Sequence, residues 1–77
     1  MGLRRYANRQ GSSGVVAYES GPDFIRVAFV DGGVYRYTWA RPGARKVERM
    51  KQLAEQGRGL ASFINRSVRD DDESRET

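Results

Sequence analysis

The 77 residues include no cysteine and no histidine, which excludes a disulfide framework, a thiolate metal site and a cysteine nucleophile, and removes the usual general base and metal ligand at neutral pH. At this length the chain reads as one domain, with a core so small that a lone hairpin must be closed by other elements. The formal charge of +4 is asymmetric: residues 1–69 carry 13 Lys and Arg against 5 Asp and Glu, net +8, and residues 70–77 carry 1 against 5, net −4.

A basic body with a short acidic end points to a polyanionic partner, nucleic acid first. No apolar run approaches the roughly 20 residues of a membrane-spanning helix, and the first residues, MGLRRY, lack the apolar h-region of a signal peptide. The expectation is a soluble cytoplasmic protein, not an enzyme, with no cofactor, no metal, no membrane partner and no small-molecule substrate.

Residues 1–11 hold Arg4, Arg5 and Arg9 with only Leu3 and Tyr6 to bury, a composition that reads as a flexible basic arm. Val15, Val16, Ala17 and Tyr18 then predict a short strand, ended by the turn chemistry of Ser20-Gly21-Pro22-Asp23. Residues 24–40, FIRVAFVDGGVYRYTWA, show period-2 alternation on both sides of an Asp-Gly, a strong hairpin signal. A three-stranded antiparallel meander follows.

Two registers are open to that hairpin. A loop of Asp31-Gly32-Gly33 pairs Val30 with Val34 and puts Ile25, Val27 and Phe29 on one face with Tyr35, Tyr37 and Trp39. A loop of Asp31-Gly32 pairs Val30 with Gly33 and moves the Tyr-Tyr-Trp row to the face of Phe24, Arg26 and Ala28, where it would resemble a stacking platform for single-stranded RNA. The first concentrates apolar residues on one face and is the expected register.

After Ala40-Arg41-Pro42-Gly43, Val47, Met50, Leu53 and Ala54 recur at helical spacing as far as Gly57, a natural helix-ending residue. Arg45, Arg49 and Gln52 mark the opposite face. Arg41, Arg45 and Lys46 crowd the helix start, where the macrodipole disfavours cations by several tenths of a kcal/mol each. A second, shorter helix is predicted after Gly57-Arg58-Gly59, with Leu60, Phe63, Ile64 and Val68 on one face. The Gly-Arg-Gly reads as a turn more than as a phosphate cradle. Asp70-Asp71-Asp72-Glu73 repels itself, so residues 70–77 are expected to form a disordered acidic tail.

Taken together, Ser12-Ser13 before the first strand, the alternation ending at Phe29, the Asp31-Gly32 turn, Tyr35-Arg36-Tyr37 and the closing segment of residues 59–69 resemble the KTSC domain. This short module is named for its occurrence at the C-terminus of some lysyl-tRNA synthetases and is also found alone in small bacterial and phage proteins. The resemblance covers residues 12–69. Ala40-Arg41-Pro42-Gly43 stands where the family has a plainer Val-Pro, and Ile64 separates Phe63 from Asn65. The resemblance implies an α+β fold, a three-stranded antiparallel β-meander followed by two helices packed on one face, and it places RNA ahead of DNA as a ligand.

The expected site is an arginine-rich face of Arg26, Arg36, Arg41, Arg45, Lys46, Arg49 and Arg66 that binds nucleic acid. The alternative is a protein-interaction module, phage-borne, using the same cations on an acidic surface of a host protein complex. Charge runs are commonly solvated faces and nothing more.

Overall fold

In chain order the elements are β1 (Arg4–Arg5), β2 (Val15–Ser20), β3 (Phe24–Phe29), β4 (Val34–Thr38), α1 (Ala44–Gln56), α2 (Leu60–Phe63), a π-helical turn over Ile64–Val68, and β5 (Ser74–Arg75). They come from a computed structural model that describes residues 2–7, 14–68 and 74–75. The strands form one antiparallel sheet in the order β1-β2-β3-β4-β5. This is the expected α+β class, with the expected meander at its centre and a two-residue strand added at each edge. Such short, arginine-bearing edges offer little template for pairing with another chain. Ser12-Ser13 and the acidic run at 70–73 lie outside the described residues.

The N-terminal addition has a physical cause in Tyr6. Its ring is 3% exposed, its N–H donates to the Val16 carbonyl at 3.0 Å, and its hydroxyl accepts the Leu60 N–H at 3.3 Å. Val16 is free to receive that bond because a bulge between Val15 and Ala17 lifts it out of the β2–β3 ladder. Residues 4–6, expected within a flexible arm, are therefore part of the packed domain. At the other edge Arg75 lies over the Tyr35 ring, 5.3 Å from its centroid, so that β5 also has an aromatic anchor.

The central hairpin keeps the expected face but not the expected partners. Ile25 pairs with Tyr37 and Val27 with Tyr35, whereas a Val30–Val34 pairing would have put Ile25 opposite Trp39. The slide is two residues, so the period-2 alternation preserves which side chains share a face. Its cause is the loop. Phe29 donates to the Gly33 carbonyl at 2.8 Å, Gly32 donates back to the Phe29 carbonyl at 2.9 Å, and Asp31 Oδ1 accepts the Gly33 N–H at 2.9 Å. Residues 30–32 thus form the loop, closed by Gly32 at φ 95°, the left-handed position a three-residue hairpin assigns to glycine.

One consequence corrects the predicted core. With Phe24–Thr38 as the last pair, Trp39 runs off the end of β3 and is 50% exposed, while Tyr37 is 1% exposed. Phe29, Tyr35 and Phe63 are half-buried and pack against the core rather than within it.

Helix α1 lays Val47, Met50, Leu53 and Ala54 on the sheet face that carries Ile25, Val27 and Tyr37. It begins at Ala44, after a Gly43 N-cap, so Pro42 precedes the helix instead of occupying its first turn. It ends where Gly57, at φ 75°, turns its N–H back to the Leu53 and Ala54 carbonyls. The Arg58 N–H is also directed to Leu53, so Gly57-Arg58-Gly59 begins as the C-terminal cap of α1, in keeping with its reading as a turn. Leu60, Ile64 and Val68, each four residues apart, close the core from α2 and the π turn.

Candidate nucleic-acid interface

An antiparallel sheet with helices on one side leaves its other face in water, and the seven predicted cations divide between that face and the helical side. Arg26 and Arg36 stand opposite each other in the β3–β4 register, pointing away from the helices. Two like charges so placed repel. Each has a compensating neighbour: Arg26 donates to Glu19 Oε1 at 2.6 Å, and the Arg36 guanidinium carbon sits 4.3 Å from the centroid of the Phe24 ring, within cation–π range. Arg5 of β1 joins this face opposite Ala17.

On the helical side, the residues that α1 buries leave Arg45, Arg49 and Gln52 on its solvent-facing flank, all exposed. The Arg49 guanidinium donates to Gln52 Oε1 at 3.2 Å, extending the stripe along the helix. Lys46 lies at the border of that stripe, and its Nζ donates to the Ser67 carbonyl at 3.2 Å. That bond ties the π turn to α1. Arg66, the neighbour of Ser67, is exposed on that turn. Arg41 is exposed in the connection that leads into α1, with its N–H donating to Thr38.

Arg45, Lys46 and Arg49 thus lie on α1, Arg66 on the π turn tied to it and Arg41 on the connection that leads into it, while Arg26 and Arg36 lie on the sheet face turned away from the helices. No acidic residue occupies the first turn of α1. Glu48 of α1 is already engaged: Lys51 Nζ donates to its Oε2 at 2.9 Å and the Trp39 indole N–H donates to the same oxygen at 3.0 Å. These two hydrogen bonds, from Lys51 and then Trp39, hold the Glu48 carboxyl below its ordinary value of 4.5, against a smaller opposing effect of desolvation. Lys51 in turn donates to the Pro22 carbonyl at 3.0 Å.

Sequence reasoning missed this Glu48–Trp39–Lys51 group because it placed Trp39 in the core. The signal lay in Trp39-Ala40-Arg41-Pro42, where the residue order marks a chain reversal directly after the tryptophan. Among the described residues, no group of three or more acidic side chains is placed to hold a metal ion, and no helix is long and apolar enough to cross a membrane. A concavity of about 290 Å³ beside β1, lined by Arg5, Tyr6, Ala7, Val15 and Val16, has none of the seven cations in its lining.

Comparison of the chain with protein-family models, with curated proteins and with solved structures finds no match.

Proposed function

We propose that the protein is a small, non-enzymatic nucleic-acid-binding module that grips phosphates with the α1 and π-turn surface: Arg45, Lys46, Arg49 and Arg66, with Arg41 at the helix entrance. The observation that supports this reading is the set of exposed cations on α1, Arg45 and Arg49 on its solvent-facing flank with Lys46 at the border, to which the Lys46–Ser67 bond ties the turn that carries Arg66. A second support is the position of the charges. Arg45 and Lys46 work against the α1 macrodipole, a cost that a phosphate ligand offsets. Arg26 and Arg36 are left out of the site, because Glu19 and Phe24 engage them on the far side of the sheet. RNA is placed ahead of DNA only by the resemblance to the KTSC domain.

Binding of a single-stranded RNA, measured by mobility shift between about 50 and 200 mM salt, tests the reading, since neutralising phosphates releases counterions and sets the salt slope. Changing Arg45 and Arg49 together to Gln should lower that slope by about 0.7 for each single-strand phosphate the protein no longer neutralises, while Arg26→Gln with Arg36→Gln leaves it unchanged. A slope that responds only to the second pair moves the site to the sheet face. Absence of RNA and DNA binding even at the low salt favours the protein-interaction reading, in which the same cations meet an acidic protein surface.

A further inference from the structure

We propose that Trp39 is a stacking site for an unpaired nucleobase, set beside the phosphate-gripping cations of α1; the inference rests on the nucleic-acid reading above and narrows its ligand to single-stranded regions. Half of the Trp39 surface is open to water, yet the side chain is held at its polar end. Its indole N–H donates to Glu48 Oε2 at 3.0 Å, Glu48 is held by Lys51 at 2.9 Å, and Lys51 is held by the Pro22 carbonyl at 3.0 Å. The backbone is fixed as well, with the Trp39 N–H donating to the Asp23 carbonyl at 3.0 Å.

An aromatic side chain held in advance loses little further freedom when a ligand arrives. Its hydrogen-bonding group is already satisfied by Glu48, and what it still offers is apolar ring surface. Ring surface without a free donor suits stacking, which needs only the π face that every base has.

The charges around the ring define what accompanies the base. Residues 38–41 form a turn closed by the Arg41 N–H on the Thr38 carbonyl at 3.0 Å, so Arg41 leaves the same turn as Trp39. On α1, Arg45 lies three residues before Glu48, and side chains at that spacing are neighbours about 5–6 Å apart at Cβ. Glu48 itself is neutralised by Lys51. A ligand combining a flat apolar group with flanking negative charges matches this surface, and a nucleotide of a single strand is that combination. In a duplex the bases are stacked on each other and unavailable, so recognition through Trp39 requires a single strand, a loop or an end.

Because Trp39 is the chain's one tryptophan, its fluorescence reports this site alone. Titration of the full chain at low salt with an unstructured oligouridylate should quench that emission, and an RNA duplex of equal phosphate number should bind without comparable quenching. Trp39→Ala should weaken binding of the single strand by about 5- to 150-fold, the span that stacking of one base on one side chain covers, and leave the duplex affinity unchanged. Trp39→Phe, which keeps a ring but loses the bond to Glu48, should retain most of the preference for the single strand, and circular-dichroism melts check that both variants fold. Quenching absent while the single strand binds, or Trp39→Ala weakening single strand and duplex equally or neither, overturns the stacking site and leaves the phosphate surface standing. Failure of the unsubstituted chain to bind either RNA overturns both.

Discussion

Tyr37 and Trp39 stand two residues apart in one alternating row, and the fold treats them in opposite ways. Tyr37 faces Ile25 across the hairpin and is among the largest fully buried side chains. Trp39 lies past the last strand pair and is tied to the rest of the molecule by a surface hydrogen bond to a carboxylate. The row in the sequence is continuous, but β3 has a partner for only part of it. A ring gains from burial only where the opposing strand and α1 supply a surface, and a two-residue slide of register decides which ring that is. The contrast separates a region held by packing from one held by electrostatics.

The sharpest way to break that contrast is to truncate both rings. Tyr37→Ala should destabilise the domain by about 3–5 kcal/mol, as expected for removing a large buried aromatic, whereas Trp39→Ala should change stability by less than about 1 kcal/mol. In thermal melts of a domain this size, each kcal/mol corresponds to a shift of about 4–8 °C, so the two variants separate clearly. Equal destabilisation would mean that Trp39 belongs to the packed region after all.

A smaller effect tests how far the packed region extends toward the N-terminus. The Leu60 N–H opens a short helix and has no partner within it, so the Tyr6 hydroxyl caps it from 54 residues away. Tyr6→Phe keeps the ring and removes the oxygen, leaving that buried donor unsatisfied at a cost of about 1–3 kcal/mol. Urea unfolding of this variant should show a lower midpoint with an unchanged slope. A midpoint equal to the parent's would detach residues 4–6 from the domain.

The meander, the first helix and the face shared by Ile25, Val27, Tyr35 and Tyr37 were legible because side-chain period and Asp-Gly turn chemistry act locally. Register was not legible at the level of partners. Choosing residues 30–32 over 31–33 as the loop depends on hydrogen bonds among Phe29, Asp31, Gly32 and Gly33 that both loops could draw from the same letters. Tyr6 was invisible for a related reason: one tyrosine among arginines and glycines has no periodicity, and its burial depends on α2, more than 50 residues away. The cations were all identifiable by type, but only the two-layer packing separates Arg26 and Arg36 from the α1 group. Pairing of Lys46 with a backbone carbonyl leaves no mark in sequence.

The least perturbing test of the contrast uses pH. Glu48 accepts from Lys51 and Trp39 in the folded state, so its carboxyl titrates below 4.5, its ordinary value. A depressed folded-state pKa means that the stabilisation is fully present above the ordinary value and is lost as pH falls through the lower, folded one. Because the group is on the surface, the effect on global stability is small and salt-sensitive. Its effect on the indole is direct: protonation weakens the charge-assisted bond from Trp39 Nε1 and releases the ring. Tryptophan emission should therefore shift in a step whose midpoint lies below pH 4.5, the ordinary carboxyl value, and which Glu48→Gln abolishes. Asp23, whose backbone carbonyl accepts the Trp39 N–H, serves as a control, and Asp23→Asn should leave the step in place. A step that survives Glu48→Gln, or whose midpoint falls above the ordinary value, would show that something other than the Glu48 hydrogen bond fixes the indole, and would remove the electrostatic half of the contrast with Tyr37.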